Sequence, residues 1–307
     1  MKKIKLLFGL LLIGTMVSSC YVEDIYEDDY IDNGFSVDDA LHAYDLWYVD
    51  INETKGNGEV PFLQRAFTVS FDNGRMFANN NMVGIGKTGG GYGIDVGYYN
   101  LIDGGISVNH KVDGRWPLEV LYANNKTLEI YDRNSDTSYF LRGYSLSTFD
   151  FDLIFYDNIQ YFLQEYDAWE KTYTSEEGAI NDFDAENFLQ FFTDTDDVFR
   201  SSIDETGTNA GNLQWDYEGL YQVYDVANDE SLKTITLDYD FLGDDYFELY
   251  VINDSTIELY HPDSETVYEF KGRGYIQYLK SGKASGDKKR KKSSNKIMHV
   301  TRQRVKK

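Results

Sequence analysis

Apolar and polar positions alternate along most of the chain in short runs separated by polar turns. The first half carries the pattern in WYVDI, AFTVSF, GIDVGYYN, GISVNHKV and PLEVLY, and the second in WEKTYT, LQWDY, YQVYDV, KTITLDYDF and FELYVI. A period of two is the mark of strands with one buried face. Turn segments of the FDNG type recur at intervals of roughly ten residues, which predicts antiparallel meanders. Two stretches follow a helical spacing instead. Ser36 with Asp39 has the form of a capping box ahead of Leu41, Tyr44 and Trp47, and Ile159, Phe162, Leu163 and Tyr166 follow Asp157.

The pattern is written twice. Leu118–Phe140 and Phe247–Glu269 align without a gap, with Glu119, Asn124, Thr127, Glu129, Tyr131, Ser135, Thr137 and Tyr139 answered by Glu248, Asn253, Thr256, Glu258, Tyr260, Ser264, Thr266 and Tyr268. Alternation sets Leu128 and Ile130 on one face and Thr127, Glu129 and Tyr131 on the other, and it splits Ile257 and Leu259 from Thr256, Glu258 and Tyr260 in the same way. Asn124-Asn125 and Asn253-Asp254 are expected to turn the chain through positive φ. Upstream, Tyr44-Asp45-Leu46-Trp47 is echoed by Tyr166-Asp167-Ala168-Trp169, and Phe62-Leu63-Gln64 by Phe188-Leu189-Gln190.

These repeats predict a mainly β protein of two tandem antiparallel meander units, 35–150 and 151–280, each preceded by a short helix. A helical entry, a Trp at the mouth of the first strand and six to eight up-and-down strands resemble the lipocalin-like β-barrel domains of secreted Bacteroidota lipoproteins. Asp-x-Trp stands here where true lipocalins carry Gly-x-Trp.

Length and composition agree with two β units: 307 residues, 26 Tyr and only 3 Pro. The single cysteine, Cys20, excludes an intramolecular disulfide and multi-cysteine metal sites. Residues 1–20 read as an export signal, with Lys2, Lys3 and Lys5 before the apolar run Leu6–Val17. The run ends in Val17-Ser18-Ser19-Cys20, which resembles a bacterial lipobox and marks Cys20 for lipidation. Residues 21–34 are an acidic tether, and acidic residues so close to Cys20 resemble the surface-export signals of Bacteroidota lipoproteins.

Charge is unevenly placed. Of the 29 Lys and Arg residues, 12 lie in Lys280–Lys307, where Asp287 is the only acidic residue. Residues 281–307 are therefore read as a disordered basic tail on a strongly acidic body. Such a body repels nucleic acid. The tail is either a polybasic arm for anionic glycolipid or a terminus folded back on the acidic body.

The stretches YDLWYVDIN, EVPFLQ and EFKGRGYIQY resemble a family of flavobacterial outer-membrane lipoproteins that often carries the inherited name nicotinic acid mononucleotide adenylyltransferase. That name implies a Gly-rich turn and a His-x-Gly-His pair to stabilise phosphate charge. His42, His110, His261 and His299 stand far apart in sequence, so no catalytic residue is carried over. Gly84-Ile85-Gly86-Lys87-Thr88-Gly89 fits G-x-G-x-x-G, but Asn81 stands where a phosphate loop needs its first glycine. It reads as a loop between strands.

Asp132–Asp136 has the first half of a calcium loop, with Thr137 in place of the required glycine, and reads as a capped hairpin turn. Asp194, Asp196 and Asp197, and Asp238, Asp240, Asp244 and Asp245, are acidic enough for weak calcium binding and read as solvated loops. Asp254-Ser255-Thr256 resembles a Bacteroidota O-glycosylation sequon. Trp47, Trp116, Trp169 and Trp215 are candidates for stacking on sugars, or for the core. No catalytic, cofactor or metal set emerges.

The sequence thus leads to the expectation of a lipid-anchored, non-catalytic binding or structural module of the outer membrane, on its periplasmic or cell-surface face. The membrane is a partner through Cys20, and a glycan, a lipid or another envelope protein is the ligand class. The alternative is the nucleotidyltransferase of the inherited name.

Overall fold

The computed structural model describes residues 36–276, apart from 125, 193–196 and 241, together with Ile297–Met298. Residues 1–20 with Cys20, the tether 21–34, Asp194, Asp196, His299 and the rest of the basic tail lie outside the described residues.

The chain is mainly β. Helix α1 (Val37–Leu41) leads into β1 (Leu46–Lys55), and helix α2 (Pro61–Arg65) precedes β2 (Thr68–Asp72) and β3 (Arg75–Asn79). A glycine-rich connection reaches β4 (Ile94–Ile102), and β5 (Gly105–His110), β6 (Gly114–Asn124), β7 (Thr127–Asp132) and β8 (Thr137–Tyr144) complete the meander. Pairing of β1 with β8 closes these eight strands into an antiparallel barrel.

Helices α3 (Phe151–Asp157) and α4 (Ile159–Leu163) lead into β9 (Tyr166–Thr174), β10 (Phe188–Phe191), β11 (Val198–Ser202) and β12 (Tyr217–Val226). Then come β13 (Asp229–Tyr239), β14 (Gly243–Asn253), β15 (Thr256–His261) and β16 (Thr266–Tyr275). Each strand pairs with the next, β16 pairs with β9 and β11 with β12, so this meander also runs full circle. A two-residue strand, β17 (Ile297–Met298), lies parallel to β12 at Asp225–Val226.

The sequence repeat is a structural repeat at constant register. Strand β14 stands to β15 as β6 stands to β7, with Glu248 opposite Tyr260 and Glu119 opposite Tyr131. Leu128 and Ile130 are in the core, as are Ile257 and Leu259, while Thr127, Glu129 and Tyr131 are partly exposed. In the second copy Tyr260 is also buried.

The Trp that opens each barrel is fixed in the same way. Trp47 Nε1 donates to the Leu41 carbonyl at 2.9 Å, and Trp169 Nε1 to the Leu163 carbonyl at 2.7 Å. Both indoles are fully buried, so their one polar atom needs this partner. The rings of Tyr44 and Tyr166 lie against Gly143 and Gly272, where a Cβ would come within 2.2 and 2.5 Å of ring carbons. Three elements are thereby tied at the start of each barrel: the entry helix, the Trp strand with the Tyr at its mouth, and the last strand.

Several local expectations are corrected. The helical spacing of Leu41, Tyr44 and Trp47 does not continue as helix, because α1 stops at Leu41 and Trp47 is a strand residue. Ser36 does cap α1, accepting from the Asp39 amide at 3.2 Å. Phe62-Leu63-Gln64 is helical, with Pro61 in the first turn, whereas Phe188-Leu189-Gln190 is strand β10. The counterpart of β10 in the first barrel is β2. LQWDY contributes only Tyr217 to a strand, and β3 and α3 had no clear pattern in the sequence. Asn124 and Asn253 turn the chain by accepting the Lys126 and Ser255 amides at 3.0 Å, and neither they nor Asp254 is among the residues with positive φ. Asp136 and Glu265 take left-handed backbone in the following turns instead.

The two barrels share one apolar cluster. Leu46, Tyr48, Phe67, Met82 and Ile85 from the first meet Phe149, just before the linking helices, and Ile154, Phe155, Ile159 and Phe162 from those helices. Across this junction the buried Glu165 carboxylate accepts the amides of Met82 and Val83 at 2.8 and 2.9 Å, and Asn158 Nδ2 donates to Tyr48 Oη at 3.1 Å. A buried carboxylate is tolerable only with such donors.

Ile130→Asp and Leu259→Asp each remove a large buried side chain, about 1.5–3 kcal/mol, and place an unpaired carboxylate in a barrel core. Chemical denaturation should find each variant largely unfolded in buffer. Gly272→Ala should cost about 1–3 kcal/mol, because the Tyr166 ring must move.

Candidate functional site: the stoppered polar ends of the barrels

The inner row of β7 runs Leu128, Ile130, Asp132, and that of β15 runs Ile257, Leu259, His261. Apolar side chains thus give way to a polar group at one end of each barrel. The connection from the first strand to the second crosses that end. In the first barrel Tyr139 Oη accepts the Val60 amide at 2.9 Å and Gln64 Nε2 at 3.1 Å, and Thr137 Oγ1 accepts the Gly58 amide at 2.7 Å. Phe62 and Leu63 enter the core. Gly58 is required there, since a Cβ would meet Ser135 at 2.0 Å.

The second barrel repeats the device with different residues. Tyr268, the counterpart of Tyr139, donates to Asp184 Oδ1 at 2.7 Å and accepts Asn181 Nδ2 at 2.8 Å. Asn181 also reaches Ser264 Oγ at 3.0 Å, and the Ser264 carbonyl accepts the Ala179 amide at 2.7 Å. Phe183 is driven into the interior, its ring centroid 4.5 Å from Phe247 and 5.0 Å from Tyr268.

Several titratable groups gather at this second end. Glu186 is buried and accepts from Tyr239 Oη at 2.8 and 2.9 Å. Burial pushes its carboxyl up to about 7, and Asp245 adds to the shift while the hydrogen bonds from Tyr239 and the charge of Lys171 oppose it. Tyr239 is raised in turn, by burial first and then by Glu186. Burial lowers Lys171, whose Nζ donates to the Asp184 carbonyl at 2.6 Å. His261 Nδ1 is 2.8 Å from Ser264 Oγ, and its Nε2 lies 3.9 Å from Asp245 Oδ1.

At the first barrel, His110 stacks on Phe62 at 5.2 Å, with Nδ1 2.8 Å from Asp113 Oδ2, which Arg65 also pairs. Burial lowers the imidazole. A carboxyl near neutrality beside a phenol and an amine is chemically capable of proton transfer. Here Glu186 binds Tyr239, Lys171 holds the Asp184 carbonyl and Tyr268 fixes the crossing loop, so the cluster acts as a stopper.

The structure keeps the sequence candidates apart. His42 caps α1, while His110 and His261 sit in different barrels, and no set of three or more His, Cys, Asp or Glu placed to hold a metal occurs among the described residues. Gly84–Gly89 belongs to the β3–β4 connection, where Gly86 packs on Phe151 and Lys87 Nζ lies 3.5 Å from Asp254. The amides of Met82 and Val83, just before it, are taken by the protein's own Glu165 carboxylate.

The Asp132 turn is a capped hairpin: Oδ1 accepts the Asn134 amide at 3.1 Å and Oδ2 accepts Ser135 Oγ at 2.6 Å. Asp197 is an exposed turn residue with positive φ, and Asp238 faces Asp244 across the β13–β14 hairpin, whose like charge raises the Asp238 carboxyl. Asp254-Ser255-Thr256 forms the β14–β15 turn, with Ser255 held by Asn253. Trp47 and Trp169 are core residues; Trp215 carries the Arg200 guanidinium at 4.3 Å, and Trp116 donates to the Asp113 carbonyl. Sequence reasoning missed Glu186, Tyr239 and Lys171. Tyr239 was within reach, being in phase with Ile235 and Leu237, but Glu186 follows a loop without periodicity.

Two outcomes are expected. Tyr268→Phe and Tyr139→Phe should each cost about 1–3 kcal/mol in urea titrations, because buried donors lose their acceptor. Glu186 has a folded-state pKa above its unfolded value, so the folded state holds the proton longer, and its contribution to stability falls as pH rises from about 4.5 to about 7. The fall is on the order of 3 kcal/mol, and Glu186→Gln should flatten that part of the stability profile. A scan against protein-family models finds no match for the chain, and a search of curated proteins finds none.

Proposed function

We propose that the protein is a lipid-anchored, non-catalytic binding or structural module of the outer membrane, held by acyl chains on Cys20. The observation that carries the non-catalytic reading is the use of the buried polar groups. Tyr139, Tyr268, Asp184 and Glu186 are engaged in holding the barrel ends closed, so the interior groups best suited to chemistry serve the fold. Recognition then falls to the outer faces of the barrels and their loops, toward a glycan, a lipid or another envelope protein. The anchor rests on the lipobox-like Val17-Ser18-Ser19-Cys20 after an apolar run, and acyl chains contribute about 0.8 kcal/mol per buried methylene.

Cells expressing the full chain should incorporate a clickable palmitate analogue, and Cys20→Ala should abolish the label and release the protein from the membrane fraction. Label that persists in the variant removes the anchor from this reading. For the module itself, thermal-shift screening against glycans and fatty acids should find a ligand that raises the melting temperature. Turnover of ATP and nicotinate mononucleotide by the purified protein would replace the reading with the transferase.

A further inference from the structure

The repeat supplies an internal control for solvent exposure. Glu119 and Tyr131 sit opposite each other on the outer face of the first barrel, and the Glu119 side chain is 31% exposed. Their counterparts Glu248 and Tyr260 have the same register and the same outward direction, since Phe247 and Leu249 fill the core on either side of Glu248. Yet Glu248 is 1% exposed. Thr234, which pairs with Glu248, is fully buried, and Val226, Leu232 and Tyr250 form a separate buried apolar cluster nearby. An outward sheet face does not reach such burial through its own side chains when an equivalent face in the same molecule stays open.

Three observations bear on what covers it. The chain leaves the second barrel after β16 and returns as β17 on the edge of β12, at the same end of the barrel. One way round the outer surface from β16 to β12 lies over β15, β14 and β13, the strands with the covered residues, and the other way, over β9, β10 and β11, is equally long. That is four strand spacings, about 19 Å, and residues 277–296 span about 70 Å when extended. The charges are complementary. Glu258 stands directly opposite Glu269 next to Glu248, a like-charge pairing that is unfavourable unless cations lie over it. The intervening segment carries Lys283, Lys288, Lys289, Arg290, Lys291, Lys292 and Lys296.

We propose that the outer face of β12–β15 is a docking surface for the chain's own basic segment 280–296, pinned by Ile297–Met298 on the β12 edge. The segment neutralises the Glu248, Glu258 and Glu269 strip. Because its hold is largely electrostatic at the surface, added salt weakens it. An anionic polymer or surface that captures the basic segment would uncover the strip.

Carbodiimide cross-linking of an equal mixture of unlabelled and ¹⁵N-labelled full chain, read by mass spectrometry, tests this. Glu248, Glu258 or Glu269 should be linked to a lysine of 283–296 within chains of one isotope, and the links should decline in high salt. Links joining heavy to light chains would make a second copy the occupant and overturn the proposal. So would an absence of links from those three glutamates to the segment. Hydroxyl-radical footprinting of the full-length double variant I297D/M298D gives an independent reading: oxidation of Tyr250 and Tyr260 should rise several-fold over the wild type while Tyr131 stays unchanged. Unchanged oxidation at Tyr250 and Tyr260 overturns it as well.

Discussion

A closed eight-stranded barrel encloses a space that side chains can just fill, and its two ends must be sealed by something other than strands. The rest of this structure follows from how that constraint is met. At one end of each barrel the connection from first to second strand is drawn across the opening, and a single tyrosine on the last strand, Tyr139 or Tyr268, binds it. At the beginning of each barrel a Trp indole hangs from the carbonyl of the entry helix, and a glycine on the last strand makes room for a Tyr ring. Closure removes exposed sheet edges, so the architecture needs no edge protection except where β12 extends beyond β11 and receives β17.

The two copies use one plan and different chemistry. In the first, the stopper is a short helix with Phe62 and Leu63, and Tyr139 accepts its hydrogen bonds. In the second, the stopper is a tighter turn with Phe183, and Tyr268 donates to a carboxylate. The second end therefore gathers acidic groups, and the raised carboxyl of Glu186 is a consequence of burying them together. Glu165 serves a related purpose between the barrels, since it satisfies the amides that begin the glycine-rich connection. A loop whose composition suggests a phosphate site is thus anchored by an internal anion.

The sequence by itself determined the strand-rich meander, its duplication and the register within it, because a period of two and a gapless repeat are local properties. It also determined that Leu128, Ile130, Ile257 and Leu259 face inward, and that Asp132 begins a capped turn. Tertiary structure alone decided what Phe62-Leu63-Gln64 becomes, since the same three residues are helix after Pro61 and strand at Phe188. It decided the polar ends too: Glu186, Tyr239 and Lys171 come from a loop and two distant strands, and only barrel closure sets them side by side. The unequal burial of Glu119 and Glu248 is the plainest case, because equivalent positions in the repeat with the same register leave exposure open, and only what lies over a surface fixes it.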